Sequence, residues 1–300
     1  SVYEMQDDKT KQPKGKLELT KPVEVLFEGV DLTKYKTVNG SGNISKELNK
    51  IKEQFCFLFV GHWLQGDQYE DRKNVGGMIE EFLHTFKHTS IKPALILKTQ
   101  TSNSSILDRD KIIEKINIIK SAVGGDNLPN IYLLHGELSD SEINELYNHS
   151  KVKSMVSLTK GEGFGRPLLE FTTTGKPLIT SGWSGQLDYL DKTLSILIGG
   201  TLETIHTSAV VKDMLVAESK WFKYDVKEAR TALKFVFKNY KKASRLSAKL
   251  ATKNKKEFSL DKMTEKLGTI LSTHVPFFPE KINFKPVPPK VIKINKPSKK

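Results

Sequence analysis

Cysteine is almost missing from this chain: Cys56 is the single one in 300 residues, so no disulfide or cysteine-metal framework can be drawn. It lies inside the apolar run "FCFLFVG", which predicts a buried structural thiol and not a nucleophile. Long hydrophobic runs are missing as well. Nothing approaches the roughly 18 apolar residues of a membrane span, and the first residues lack the apolar core of a secretory signal, so the expected compartment is cytoplasmic. The seven histidines show neither the paired helical spacing of a zinc site nor a triad around a serine. "DRD" at 108–110 has the form of a metal-binding acid pair, but it opens a helical pattern, where acids favour the dipole. No metal site is expected. His135, at the end of "IYLLHG", suits packing or the lining of a cleft, packing being the simpler reading.

What is present is the balance of a globular protein, with 37% hydrophobic and 28% charged residues. The net charge of +13 is uneven. Between Trp221 and Lys300 there are 21 Lys or Arg against 6 Asp or Glu, a balance of +15 that leaves −2 for residues 1–220. Such a field suits contact with a polyanion or an anionic membrane surface, although solvated lysine faces are the commoner origin of such a count.

Residues 1–22 read as a connecting segment, polar and with few apolar positions. "PVEVLFEGVD" then alternates like a strand ending in a turn, and "NGSGN" at 39–43 reads as a loop. Strands are predicted at 54–61, 92–99, 130–136, 153–159 and 176–180. Between them, Val75, Ile79, Phe82 and Phe86 recur at helical spacing, as do Ile112, Ile116 and Ile119, and Ser139 with Glu142 has capping-box spacing. Alternating strands and helices predict an α/β fold with a doubly wound parallel sheet, Rossmann-like. Three helices are expected from 225 to about 272, and the Pro/Lys-rich stretch 276–300 reads as an extended basic tail.

Open parallel sheets bind ligands beyond the carboxyl ends of their strands, so the loops there are the ones to search. The loop after the fourth predicted strand is "KGEGFGRPLLE" (160–170). Gly161, Gly163 and Gly165 leave room for backbone amides to reach a ligand, and Pro167 suits the first turn of a helix. Arg166 stands where a dinucleotide fingerprint has its third glycine, so that motif is excluded. A phosphate cradle, a sugar site and a plain turn all remain open from this stretch alone. After the first strand, Arg72 and Lys73 arrive just before a helix, where their donors suit a diphosphate. After the fifth, "TSGWSG" offers Ser181, Gly182, Ser184 and Gly185, small residues that would also leave room.

Taken together, "EGFGRPLLE" with seven residues between its two glutamates, "TGKPLITSGWSG", "RKN" and "IYLLHGELSDSEINELY" resemble the carboxy-terminal donor-binding domain of family 4 retaining glycosyltransferases with the GT-B fold. The likeness runs from about Val23 to Asp191, and more loosely through the helices to about Ser272. It implies a donor-binding domain over 23–275 that transfers a sugar, hexosyltransferase-like, from a nucleotide-diphosphate donor to an acceptor with retention. Lys73 would contact the diphosphate with Arg72 beside it, near Gly61 and His62, and Glu170 would hold the ribose hydroxyls. Glu162 would bind the donor sugar, with the amides of Gly163, Phe164 and Gly165 completing the pocket. Gly136, Glu137 and Leu138 would line the nucleobase, and Glu162 and Lys73 would be the catalytic pair. No cofactor or metal is implied. His62 departs from the arginine usual in the family. Residues 1–22 resemble the end of an absent amino-terminal acceptor domain, which makes the chain a fragment or a subunit needing a partner chain. The acceptor, the sugar and the base stay open. Two other readings stand beside this one: a sugar-nucleotide epimerase or phosphorylase of the same fold, and a non-catalytic basic binding module, which leaves both glutamates and the "RKN" loop without a task.

Overall fold

Cys56, Phe57, Leu58 and Phe59 are all fully buried, with Cys56 and Leu58 in one apolar cluster and Phe57 and Phe59 in another. A strand apolar on both faces needs cover on both, and helices supply it. The structure, a computed structural model, describes residues 2–6, 13–18, 20–64, 70–101, 104–210, 215 and 217–275. It divides into two compact units, one Val25–Lys266 and the other made of Ser1–Glu24 with Leu267–Lys300.

The chain begins with an antiparallel hairpin of β1 (Val2–Gln6) and β2 (Pro13–Glu18). This hairpin falls in the stretch read from sequence only as a connection. Next come α1 (Asn43–Asn49), β3 (Cys56–Val60), α2 (Val75–Phe86), β4 (Ala94–Lys98), α3 (Ile106–Val123), β5 (Ile131–Leu134), α4 (Asp140–Asn148) and β6 (Val152–Ser157). After these follow α5 (Arg166–Thr172), β7 (Leu178–Ser181), β8 (Ile196–Ile198), β9 (Gly200–Thr204), β10 (Lys220–Tyr224), α6 (Val226–Lys238), α7 (Tyr240–Glu257) and α8 (Leu260–His274). Six strands form one parallel sheet in the order β5-β4-β3-β6-β7-β8. The order reverses between β3 and β6, the switch point at which such sheets open a crevice.

The expected doubly wound sheet is therefore present, and each of its five predicted strands pairs within it. The helical spacings hold as well: Val75, Ile79, Phe82 and Phe86 are buried, as are Ile112, Ile116 and Ile119. Ser139 and Glu142 form the capping box in both directions. Burial pushes the Cys56 thiol up to about 12, in keeping with a structural role.

The strand expected in "PVEVLFEGVD" does not form. Among the described residues it joins none of the sheets, and Val25 and Leu26 are exposed. Its second half docks instead: Phe27 packs against Phe258 at 5.0 Å between ring centroids, Val30 N donates to Phe258 O (2.9 Å) and Leu260 N to Val30 O (2.8 Å). Gly29 makes this approach fit, because a Cβ there would stand 2.6 Å from Leu260 Cα. The loop expected at 39–43 ends in α1, which the sequence pattern did not reveal. The tail from 276 lies outside the described residues. Among the described residues, no helix is long and apolar enough to cross a membrane.

Candidate functional site

Lys73 and Arg72 stand in a turn that the chain holds tightly. Asn74 closes it in the left-handed region (φ 52°), which asparagine tolerates better than most side chains. Its amide donates to Leu158 O (3.2 Å), and the buried Asp71 accepts from Val75 N (3.2 Å). Burial raises the pKa of Asp71. The turn is then tied to the glycine loop through Lys160 N, which donates to Arg72 O (2.9 Å).

That tie brings the two predicted cations to Glu162. Lys73 Nζ lies 2.6 Å from Glu162 Oε1, and an Arg72 guanidinium nitrogen lies 3.2 Å from Oε2. The same guanidinium also donates to Gly161 O. The Glu162 side chain is only 6% exposed and that of Lys73 18%, while Arg72 is about half open to solvent. Lys73 and Glu162 thus form a mostly enclosed charge pair, with Arg72 forming the outer side. Gly61 sits beside them, its ideal Cβ position 3.8 Å from Lys73 Cδ.

The glycines have distinct jobs. Gly165 adopts φ 86°, a backbone that side chains other than glycine rarely take, and its carbonyl accepts from Tyr189 Oη at 2.8 Å. Gly163 has nothing within 4 Å of an added Cβ, so its face is open. The Phe164 ring, in contrast, is buried against Tyr189, which leaves only its backbone for a ligand. Glu170 sits one turn into α5 and is buried, with Arg166 3.5 Å away. Burial is the main cause of its raised pKa, and the Arg166 charge opposes it. The Tyr35 and Tyr147 side chains lie against the same carboxylate and are pushed up chiefly by burial and then by its charge. Neither tyrosine could be assigned from spacing, since they reach Glu170 from a loop and from α4.

The loop after β5 carries the three residues expected to line a nucleobase. Gly136 takes φ 102° and its carbonyl accepts from Lys98 Nζ (2.6 Å); Glu137 is exposed and Leu138 partly buried. His62 is exposed, with Nδ1 3.1 Å from Thr101 O. His135 is a packed residue: Nε2 is 2.8 Å from Asp108 Oδ2, and Asp108 also accepts from Thr101 N (3.0 Å). Burial works to raise the Asp108 pKa, but the Thr101 and His135 bonds outweigh it and hold the carboxyl below its ordinary value. The first acid of "DRD" is therefore structural, while Asp110 pairs with Arg109 at 3.0 Å. Among the described residues no group of three or more His, Cys, Asp or Glu is placed to hold a metal ion.

The room expected at "TSGWSG" is not there. Gly182 is hydrogen-bonded to Ile198 O (2.8 Å) and Gly185 to Glu162 O (3.0 Å), so these small residues let two loops touch. A cavity of about 810 Å³ opens elsewhere, lined by Lys160, Glu203, Trp221 and Tyr224 among others, but by none of Arg72, Lys73, Glu162 or Glu170.

No protein-family model matches the chain, and no curated protein matches it in sequence. Solved structures do. Anabaena Alr3699/HepE, crystallised with UDP and glucose, superposes with a TM-score of 0.56 at 12% identity, covering 83% of this chain and 57% of that one. The α,α-trehalose-phosphate synthase (UDP-forming) of Burkholderia xenovorans gives 0.59 at 11% identity, with 82% and 51% covered. The carboxy-terminal domain of the glycosyl transferase group 1 family protein LpcC of Francisella tularensis gives 0.52 at 15%, with 77% of this chain and 100% of that domain covered. The chain spans little more than half the length of the first two and the whole of the third. The fold is thus the Rossmann-like one that these structures share. More narrowly, it is the fold of a GT-B glycosyltransferase carboxy-terminal domain, as the motif order predicts.

Proposed function

We propose that this chain binds a nucleoside diphosphate sugar and serves as the donor half of a retaining glycosyltransferase. One observation carries the reading: the loops after β3 and β6 bring Arg72, Lys73 and Glu162 together at the switch point of the sheet. Two cations and one carboxylate suit a diphosphate and a sugar respectively. Lys73 and Arg72 hold the diphosphate and stabilise the charge that grows on it as the glycosidic bond breaks, the step that most needs fixed positive groups. Glu162 accepts from sugar hydroxyls and the amides of Gly163, Phe164 and Gly165 close around the donor. Glu170 accepts from the ribose hydroxyls, with Gly136, Glu137 and Leu138 along the base and Gly61 and His62 flanking the phosphates. No metal ion is required for phosphate binding in this reading. The acceptor site belongs to an amino-terminal domain or a partner chain, and the lysines of the 221–300 region meet a polyanion or membrane surface.

UDP and UDP-glucose are the probes that structural likeness suggests, and calorimetry with the full chain tests the reading. Binding of both by the wild type, weakened in Lys73→Ala and Glu170→Ala, is the expected result. A wild type that binds neither sinks it.

Glu170 allows a second check by stability. Its folded pKa is raised by burial, so the folded protein holds the proton more tightly than the unfolded chain and loses stability as the pH rises through the carboxylate range. Glu170→Gln is therefore expected to raise the thermal midpoint at pH 7 while weakening UDP binding. The gain should shrink on acidification, as the wild-type carboxyl takes up its proton. A lower midpoint at pH 7 would contradict this account of Glu170.

A further inference from the structure

Ser184 occupies backbone where glycine belongs. Its φ of 79° and ψ of −165° lie in a region that L side chains avoid, and among the described non-glycine residues only Asn74 shares the positive φ. Strain of this kind persists only when the surroundings hold it. Here they do so through the hydroxyl, which donates to Glu162 O (2.6 Å) and accepts from Glu162 N (3.1 Å). One side chain thereby grips the backbone on both sides of the Glu162 Cα. Gly185 N adds a second bond to Glu162 O at 3.0 Å. The two loops touch so closely that a Cβ on Gly185 would stand 1.9 Å from Gly163 O.

Glu162 needs such a grip because its neighbours supply little. It is flanked by Gly161 and Gly163, the most permissive residues for backbone rotation. Its carboxylate nevertheless sits buried between Lys73 and Arg72, and a rotation of the loop would carry it away from both. A glycine at 184 would take this φ without strain but could not make either bond.

We propose that Ser184 is a positioning residue whose hydroxyl clamps the Glu162 backbone and so aims the carboxylate at the donor sugar. The inference rests on the donor-site reading and adds a residue to it from the loop after β7. Since the clamp acts on Glu162 alone, its loss weakens the hold on the sugar and takes no contact from the nucleotide. Because Gly185 keeps its own bond, the loop stays folded without the hydroxyl.

Ser184→Gly in the full chain separates this role from a merely structural one. Strain is relieved, so the thermal midpoint should be equal to or above that of wild type. UDP-glucose affinity should nonetheless fall about tenfold, the typical consequence of losing a side-chain hydrogen-bond pair that orders a charged group, while UDP affinity does not fall and rises to the extent that the loosened carboxylate releases Lys73 and Arg72. Equal affinities for UDP-glucose in variant and wild type overturn the proposal, and so does an equal loss for both ligands. Ser184→Ala, which retains the strain, should show the same ligand pattern with a lower midpoint; a UDP-glucose affinity unchanged from wild type would count against the clamp. If the wild type binds neither ligand, the donor reading falls and the clamp is judged by exchange of the Glu162 amide hydrogen, read by NMR. Faster exchange in Ser184→Gly supports the clamp and an unchanged rate overturns it.

Discussion

Replacing Glu162 by glutamine is expected to tighten UDP binding about tenfold, while Lys73→Ala weakens it about 100-fold. The opposite signs follow from one arrangement. The Glu162 carboxylate bridges Lys73 and Arg72, the groups proposed to meet the phosphates. A diphosphate must draw both cations away from it. A bond between charged groups contributes about 1.5–3 kcal/mol, and removing the competing carboxylate returns about half of that, near 1.4 kcal/mol or a factor of ten. Losing Lys73 removes such a bond outright. UDP-glucose should not share the gain in Glu162→Gln, because the glutamine accepts less strongly from the sugar hydroxyls. The variant also leaves the enclosed Lys73 without its carboxylate, so its midpoint without ligand should drop and rise more steeply with UDP than that of wild type. Lys73→Ala made in the Glu162→Gln background settles whether the lysine acts on the ligand or only on Glu162. A UDP affinity equal to that of Glu162→Gln alone would remove Lys73 from the phosphate site.

Which parts of this site were legible depends on how local their signals are. Arg72, Lys73, Glu162 and the glycines lie in loops that follow strands with strong apolar runs, so sheet topology alone brings them to one edge. Their pairing at 2.6 and 3.2 Å is a consequence of the β3–β6 switch point. Ser184 was visible only as a small residue, because the φ that makes it unusual is imposed by contact with another loop. Tyr35 and Tyr147 were invisible for the same reason, reaching Glu170 from places more than 20 residues away in sequence. The failed strand at 22–31 is instructive in physical terms: alternation shows that a segment could be a strand, but a strand also needs a partner, and this segment, with Val23, Val25 and Leu26 exposed, joins none of the described sheets. The β9–β10 hairpin was missed because the β9 segment is exposed throughout and carries no apolar alternation.

Arg230→Met is expected to cost about 3 kcal/mol of stability, the lower end of what breaking a buried ion pair does. Glu81 lies on α2 with its side chain 4% exposed, on the wall of the cavity of about 810 Å³ that Tyr224 and Val226 also line. Arg230 reaches it from α6 and donates through Nε, a bond that is the main cause of its raised pKa. The guanidinium is 37% exposed, so water tempers the pair, but the carboxylate has no such relief. Taking the arginine away leaves a carboxylate only 4% exposed without its partner, which is dearer than never having had the pair. For a unit of this size, about 3 kcal/mol corresponds to a midpoint lower by roughly 6–12 °C. Glu81→Leu combined with Arg230→Met should recover most of the loss, since an apolar pair of similar volume leaves no unpaired carboxylate there. A single variant within about 1 kcal/mol of wild type would show that water reaches Glu81. The pair also bears on the site, for α2 begins two residues after Lys73 and α6 pins it from the outer layer. Arg230→Met should therefore weaken UDP binding as well, and the double variant should restore it together with the fold.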